Sequence, residues 1–264
     1  MLRKIDHIVV VVRDLDRAIA DYRNAGFTVN FGGEHMGGQT HNALIAFADG
    51  TYFELIAFKE PDSPSEHRWY ERLKQGEGLV DYALLSDHLD AEAARVEAAR
   101  LSIRGPVDGG RHRPDGQWVA WRSFVLGNGV GLNALPFVIE DTTARDLRVP
   151  GDEATRHQLG VTRVAGLSLV VSNIQSAVAE LSAALGSKAK AIDPRDESAA
   201  AHFTVGVQWL ELVQPGSIDT EAGRRLAAHG EGPYEVVLTT GDAGPGDGQL
   251  LAGELHGARI RIAG

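Results

Sequence analysis

An internal repeat limits the folds open to this chain more than any other feature of its sequence. The segment KIDHIVVVVRDL at residues 4–15 is echoed by RVAGLSLVVSNI at residues 163–174. In both, an apolar strand pattern is followed by a short polar residue that suits a helix N-cap, and apolar residues at helical spacing then continue to Gly26 or Gly186. The repeat therefore predicts two units in which a strand is followed by a helix.

Each unit is followed by a pair of strand patterns, the second of which contains a glutamate. The first pair is HNALIAFADGTYFELIAF at residues 41–58, with an Asp-Gly hairpin signal between its strands. The second pair is HFTVGVQWLELVQP at residues 202–215, with a weaker Gly-Val turn signal. The repeated unit is therefore a strand, a helix and then further strands, which is a βαβββ module.

Two diverged copies of this module complete the chain. A strand, helix and strand pattern over residues 79–139 forms one copy, and the strand patterns at 234–238 and 259–263 indicate a shortened copy. The polar stretch around Pro150 and Gly151 marks a break between the copies. We expect an α+β protein with one pair of modules at residues 1–145 and a second, degenerate pair at 160–264.

Four βαβββ-type copies, with a histidine in the first strand and a glutamate in the last, resemble the vicinal oxygen chelate superfamily. The segments IDHIVVVVRDLDRAIADYRNAGF, GGEHMGGQTHNALIAFADGTYFELIAF, RHRPDGQWVAW and LPFVIED, within residues 2–141, resemble more specifically the glyoxalase-like domain family. The resemblance implies modules paired into half-open barrels with the ligand inside the cup. It does not imply one reaction, because the superfamily includes lyases, isomerases, dioxygenases and non-catalytic drug-binding proteins.

Composition excludes several classes of function. With 26 Lys and Arg against 36 Asp and Glu, the net charge is -10, so attraction to nucleic acid is not expected. The sequence has neither a signal peptide nor an apolar run of membrane-spanning length, which predicts a soluble, cytoplasmic protein without a membrane partner. Because the chain has no cysteine, any metal must be bound by His, Asp or Glu.

The resemblance implies that His7, in the first strand, and Glu54, in the fourth, project into the same cup as two metal ligands. Imidazole and carboxylate ligands suit a divalent Zn, Ni, Mn, Co or Fe(II) ion whose open positions would chelate adjacent substrate oxygens. In the alternative, His7 bonds a backbone group and Glu54 pairs with an arginine. The second module departs from the pattern, since Tyr82 aligns with His7 and Phe137 with Glu54.

Two further histidines are candidates near Glu54. If Asp49-Gly50 is a two-residue turn, Ile45 lies opposite Glu54, and His41 shares the Glu54 face as a proton donor or substrate contact. His35, in the Gly-rich segment GGEHMGG, either reaches the metal or substrate or is solvated.

Three other residues could contact a ligand. Tyr82 is a candidate substrate contact through its position in the second module. Arg113 suits an anionic substrate, or else forms a salt bridge at a solvated turn. In the second half, a Gly206-Val207 turn would set His202 opposite Glu211, as metal ligands or as a structural pair.

The leading hypothesis is a metal-dependent enzyme that acts on a small-molecule substrate with vicinal oxygens. Lyase or isomerase chemistry through an enolate ranks first, with Glu54 also a candidate general base, and extradiol-type dioxygenation ranks lower because only one strand histidine is in place. The competing hypothesis is a metal-free binding protein of the bleomycin-resistance type that holds a drug or aromatic ligand in the same cup. A monomer and a homodimer both remain open.

Overall fold

The first half of the chain folds into a closed eight-stranded β-barrel. The structure, a computed structural model, describes residues 2–127, 134–192, 199–251 and 255–264. Around the barrel the strand order is β1-β4-β3-β2-β6-β7-β8-β5. The barrel strands are β1 (Leu2–Val12), β2 (Asn30–His35), β3 (Thr40–Ala46), β4 (Tyr52–Phe58), β5 (Gly78–Ser86), β6 (Ile103–His112), β7 (Trp118–Leu126) and β8 (Phe137–Asp141).

The second half contains an open sheet of seven strands in the order β10-β11-β12-β9-β13-β15-β14. Its strands are β9 (Arg163–Val170), β10 (Lys190–Ile192), β11 (Ala199–Val205), β12 (Gln208–Gln214), β13 (Gly232–Thr239), β14 (Gln249–Leu250) and β15 (Ile260–Ala263). The helices are α1 (Leu15–Asn24), α2 (Tyr70–Gln75), α3 (Leu89–Ala98), α4 (Arg145–Arg148), α5 (Ile174–Leu185) and α6 (Glu221–His229), and a 3-10 helix spans Asp152–Thr155. No helix among these residues is long and apolar enough to cross a membrane.

The predicted repeat is present in the strand pairing. In the barrel, β1 pairs with β4 and β5 pairs with β8, both in parallel, while β1 and β5 are antiparallel. The sheet repeats this arrangement, since β9 pairs with β12 in parallel and with β13 in antiparallel. The predicted α+β architecture of βαβββ modules is therefore confirmed. A short pairing of β2 with β6 closes the barrel, whereas the second sheet stays open.

Local sequence signals explain the first helix of each half. The side chain of Asp14 accepts a hydrogen bond from the Arg17 backbone N–H, and Asn173 caps α5 in the same way through Ser176. The end of α5 is set by Gly186, which has a φ of 65° in the left-handed region that favours glycine. The predicted N-cap at Asp14 is confirmed, and of the two candidates before α5, Ser172 and Asn173, the cap is Asn173.

One hydrophobic cluster joins the two halves. It contains Ile8 and Leu84 from the barrel together with Leu169 and Val236 from the second sheet, all fully buried. The outer face of the barrel therefore packs against the second half, and its interior is left for a cavity. The division of the chain into domains at 1–145 and 160–264 stays a prediction.

The turn between β3 and β4 differs from the predicted two-residue turn. Ala46 pairs with Tyr52, so Leu44 rather than Ile45 lies opposite Glu54. The backbone N–H of Gly50 donates to the carbonyl of Phe47, and Gly50 has a φ of 73°. This is a three-residue loop with a left-handed glycine, and its extra residue shifts the register by one. The prediction that His41 shares the face of Glu54 is therefore wrong, and Asn42 lies on that face instead.

Candidate active site

A cavity of about 440 Å³ opens inside the barrel. Strands β1 and β4 contribute His7 and Glu54 to its wall, and the end of β2 contributes His35. Aromatic and basic side chains form much of the remaining wall: Tyr52, Trp69, Trp121, Phe137, Arg68, Arg111 and Arg148. A volume of this size is typical of small-molecule sites.

His7 is held in one orientation by its neighbours. Its Nδ1 atom lies 2.7 Å from Asp6 Oδ2, and its ring stacks on Tyr52 with 4.7 Å between centroids and contacts the edge of Phe137. Burial acts to raise the pKa of Asp6, but Arg148, the His7 hydrogen bond and Arg145 hold that pKa well below its usual value. An ionised Asp6 can only accept a hydrogen bond, so Nδ1 of His7 carries a proton, and its Nε2 atom faces Glu54.

Glu54 is a buried carboxylate between two histidines. His7 Nε2 lies 3.5 Å from its Oε2, and His35 Nε2 lies 3.1 Å from its Oε1. The side chain of Asn42 donates a hydrogen bond of 2.7 Å to the same Oε1. Burial acts to raise the pKa of Glu54, but His35, His7 and Asn42 outweigh it and lower the pKa to about 2. Glu54 is therefore ionised at neutral pH.

His35 is the last residue of β2 rather than a free loop residue. Its Nδ1 atom lies 2.9 Å from Thr40 Oγ1, and its ring meets Trp121 edge-on. The opposite nitrogen then faces Glu54. His35 is therefore oriented from both sides, in the same manner as His7.

A network of charged side chains lies behind His7. Arg148 is 1% exposed and donates to both oxygens of Asp6, at 2.8 and 3.1 Å, and to the Tyr52 hydroxyl at 2.6 Å. It also bonds Asp141, which Arg145 contacts at 3.0 Å. The two guanidinium groups keep Asp6 ionised against the effect of burial, and the ionised Asp6 in turn orients the His7 ring. Sequence analysis missed Arg148 because it falls in the polar stretch interpreted as a break between modules.

Three of the predicted site residues lie away from the cavity wall. His41 pairs with Ala57 in the neighbouring strand, and its ring contacts Phe31. Tyr82 is fully buried in the hydrophobic core, where its hydroxyl donates to the carbonyl of Ala134 at 2.8 Å. The residue of β5 that pairs with His7 is Ala83, one position further along the strand.

Arg113 is the third of these residues. Its guanidinium donates to the Leu147 carbonyl at 2.9 Å and lies 3.1 Å from Asp115. The arginine that reaches the cavity from this strand pair is Arg111, which donates to the Gly32 and Arg148 carbonyls. Strand alternation would place both arginines on one face, but β6 ends at His112 and Arg113 begins the turn that follows it, so the two side chains diverge. The sequence pattern RHR contains no signal for where the strand ends.

The predicted register in the second half is confirmed, since His202 pairs with Glu211. His202 Nε2 lies 3.2 Å from Glu211 Oε1, and Ser168 donates to the other oxygen at 2.6 Å. Gly166 takes the place that His7 has in the first module, and Trp209 covers it. A Cβ atom at Gly166 would lie 2.1 Å from the Trp209 ring, so this strand position has no space for a histidine.

This close contact leads to a stability prediction. We expect Gly166→Ala to lower the free energy of unfolding by about 1–3 kcal/mol, because the added methyl group forces Trp209 or the strand to move. Urea denaturation measures the change. Gly241→Ala is the matched control, since a Cβ there meets nothing within 4 Å. Equal stability of the two variants would contradict the packing argument.

The side chains around Glu54 include donor groups that metals accept. Among the described residues, no group of three or more His, Asp or Glu side chains stands ready to hold an ion. The two histidines contact different oxygens of Glu54, which stands between their rings. The chemical types of these donors nevertheless suit a divalent transition metal, since they are two oriented imidazoles, His7 and His35, and the ionised carboxylate of Glu54. Asp6 on His7 supplies the outer carboxylate partner found at many such sites.

Comparisons with known proteins agree with this architecture. A family model described as a glyoxalase-like domain matches residues 5–186, more than half of the chain. A search of the curated proteins found no match. A hypothetical protein from Staphylococcus aureus is 13% identical with a TM-score of 0.72, over 99% of this chain and 100% of that one.

A second solved structure is a mutant of 4-hydroxymandelate synthase from Streptomyces coelicolor. It is 15% identical with a TM-score of 0.59, over 92% of this chain and 72% of that one. At these identities, both likenesses show a shared fold. The predicted vicinal oxygen chelate fold is thereby confirmed.

Proposed function

This chain belongs to the glyoxalase-like domain family, and we propose that it is a metal-dependent enzyme acting on a small molecule with two adjacent oxygens. His7 and Glu54 would hold the divalent metal ion, with His35 as the third ligand. The observation that supports this proposal is that both histidines turn Nε2 toward the ionised Glu54, at 3.5 and 3.1 Å. Two ligands about 2.1 Å from one ion and at right angles to each other lie about 3 Å apart, close to these separations.

Lyase or isomerase chemistry is the reaction type we favour within this proposal. A bound divalent ion supplies polarisation of the adjacent substrate oxygens. The residues of the chain would handle the proton, since Glu54 is an ionised acceptor and His35 borders it. Trp121, Phe137 and Tyr52 would pack against the rest of the substrate and exclude water.

Metal content tests the proposal without knowledge of the substrate. We expect wild-type protein, reconstituted with a divalent metal and desalted, to retain about one equivalent, and Glu54→Gln to retain much less, because the charged ligand is lost. Plasma mass spectrometry measures this. The matched control is Glu34→Gln, an exposed glutamate that contacts Lys59, and it should retain metal like the wild type. Absence of stoichiometric metal in the reconstituted wild type would contradict the proposal.

A metal-free binding protein is the second candidate function. It is favoured by the apolar second-module wall, where Ala83 pairs with His7 and with Phe137, and by the aromatic lining of the cavity. Such a protein would bind an aromatic or drug-like ligand through these walls. Ligand binding that is unchanged after chelation and in Glu54→Gln would support this candidate over the enzyme.

A further inference from the structure

A second cavity, of about 580 Å³, lies beside the candidate active site. It is bordered by α2, the start of β5 and the C-terminal end of α6. Four residues line both cavities: His67, Arg68, Trp69 and Val125. The second cavity is therefore separated from the active site only by side chains of one wall.

Arg72 lines this cavity and is a buried cation that has no carboxylate partner among the described residues. Arg72 is 4% exposed, and within the described part of the chain its guanidinium donates to two backbone carbonyls, those of Gly76 at 2.7 Å and Glu77 at 3.3 Å. Its Nε atom is buried and has no hydrogen-bond partner among the described residues. Burial lowers the pKa of Arg72 to about 10, and no described acid opposes this effect.

His229, at the end of α6, lines the same cavity. Its Nδ1 atom is also buried without a hydrogen-bond partner among the described residues. Burial, Arg72 and Arg225 lower its pKa to about 4. The side chains of His229 and Arg72 lie close together beside Gly76. A Cβ atom built at Gly76 would lie 3.8 Å from His229 Cε1 and 4.0 Å from Arg72 Nη1.

Arg225 adds a third basic group behind the cavity. It donates to the carbonyls of Gly230 and Pro233, and burial together with Arg72 lowers its pKa to about 10. Carbonyl groups at helix ends satisfy guanidinium N–H donors but carry only partial charge. Among the described residues, Arg72 and Arg225 therefore have no carboxylate that supplies a full counter-charge, although the protein has a net charge of -10.

The acids that line the cavity do not supply this counter-charge. Asp81 lies against Arg68, and Glu71 pairs with Lys74 at 2.7 Å. Glu66 is exposed. Because a buried guanidinium without a counter-charge is unfavourable, an arrangement of this kind favours the binding of an anion.

We infer that the second cavity is an oxyanion subsite, in which Arg72 and His229 bind a phosphate or carboxylate group of a small-molecule ligand. Arginine is a preferred donor to oxyanions in proteins, and a neutral imidazole such as that of His229 can also donate one N–H hydrogen bond to an anion. The bound anion would supply the counter-charge that the Arg72 guanidinium lacks among the described residues. The inference is independent of the metal proposed at Glu54.

Isothermal titration with inorganic phosphate and, in a separate arm, with acetate tests this subsite in the full chain after removal of metal by a chelator. We expect wild type to bind at least one of the two anions, and His229→Ala to bind it at least tenfold more weakly, since a charge-assisted hydrogen bond is lost. The tighter of the two anions identifies the ligand group. His88→Ala, a substitution of an exposed histidine, should bind like the wild type.

Two further variants keep the result interpretable. Glu54→Gln should bind the anion as wild type does, which separates this subsite from a residual metal at the active site. Arg72→Met should fold, because it replaces an unpaired buried charge by an apolar chain, and its melting temperature should no longer rise with added anion. Absence of binding of both anions to wild type, or equal binding by wild type and His229→Ala, would overturn the inference.

Discussion

Replacing Arg148 by methionine should lower the free energy of unfolding by about 3–5 kcal/mol, because it leaves the carboxylate of Asp6 buried beside fewer cations. Asp6 is fully buried, and Arg148 donates to both of its oxygens. The other guanidinium partner, Arg145, is partly exposed and contacts Asp6 at 2.6 Å. The same substitution removes the hydrogen bonds of Arg148 to Asp141 and Tyr52. We therefore place this variant among the most destabilising single changes in the barrel.

Urea denaturation followed by circular dichroism measures this loss. Arg122→Met is the matched control, because Arg122 pairs with the exposed Asp90 at 2.8 Å and its ion pair is open to solvent. That variant should lose less than about 1 kcal/mol. Comparable losses in the two variants would show that burial does not strengthen the Arg148 network and would contradict the expectation.

Acid should destabilise the wild type more than Glu54→Gln when both are free of metal. The pKa of Glu54 is lowered from 4.5 to about 2, since His35, His7 and Asn42 outweigh the effect of burial. A group with a lowered native pKa contributes stability above its unfolded pKa and loses that contribution as pH falls. The loss attributable to Glu54 should therefore reach about 2 kcal/mol at pH 3 and approach about 3 kcal/mol near pH 2.

The measurement is the free energy of unfolding in urea at pH 6, 4 and 3. The stability advantage of the wild type over Glu54→Gln should shrink along this series, whereas its difference from Glu97→Gln should change little, because Glu97 is exposed on α3. An advantage that is constant from pH 6 to pH 3 would show that Glu54 has an ordinary pKa in the folded protein.

The architecture could be predicted from the sequence because each element of the repeat is marked by residues close together in the chain. Strand patterns, N-caps at Asp14 and Asn173, and the terminating Gly186 are each contained within a few residues. The registers of two hairpins show how far such local signals can be used, because one register was predicted correctly and the other was not. The Gly206-Val207 turn has the predicted two residues and places His202 opposite Glu211. The loop at Asp49-Gly50 has three residues instead of the predicted two. The extra residue shifts the strand register by one, so that Asn42 rather than His41 lies on the face of Glu54.

The placement of His7 and Glu54 was predicted by resemblance, and the structure brings both to one cavity wall. Their partners were not predictable. Arg148 contacts Asp6 across 142 positions of sequence, and Arg72 meets His229 only because α2 packs near the end of α6. No local pattern encodes such a contact.

By itself, the sequence determined the family, the order of helices and strands, and the residue types available for chemistry, because these depend on short-range periodicity and composition. The tertiary structure decided which nitrogen of His7 carries its proton, why Glu54 stays ionised, and where basic groups lack a counter-charge. The physical reason is that pKa values and hydrogen-bond roles depend on burial and on charges brought close by folding, and neither exists in the extended chain.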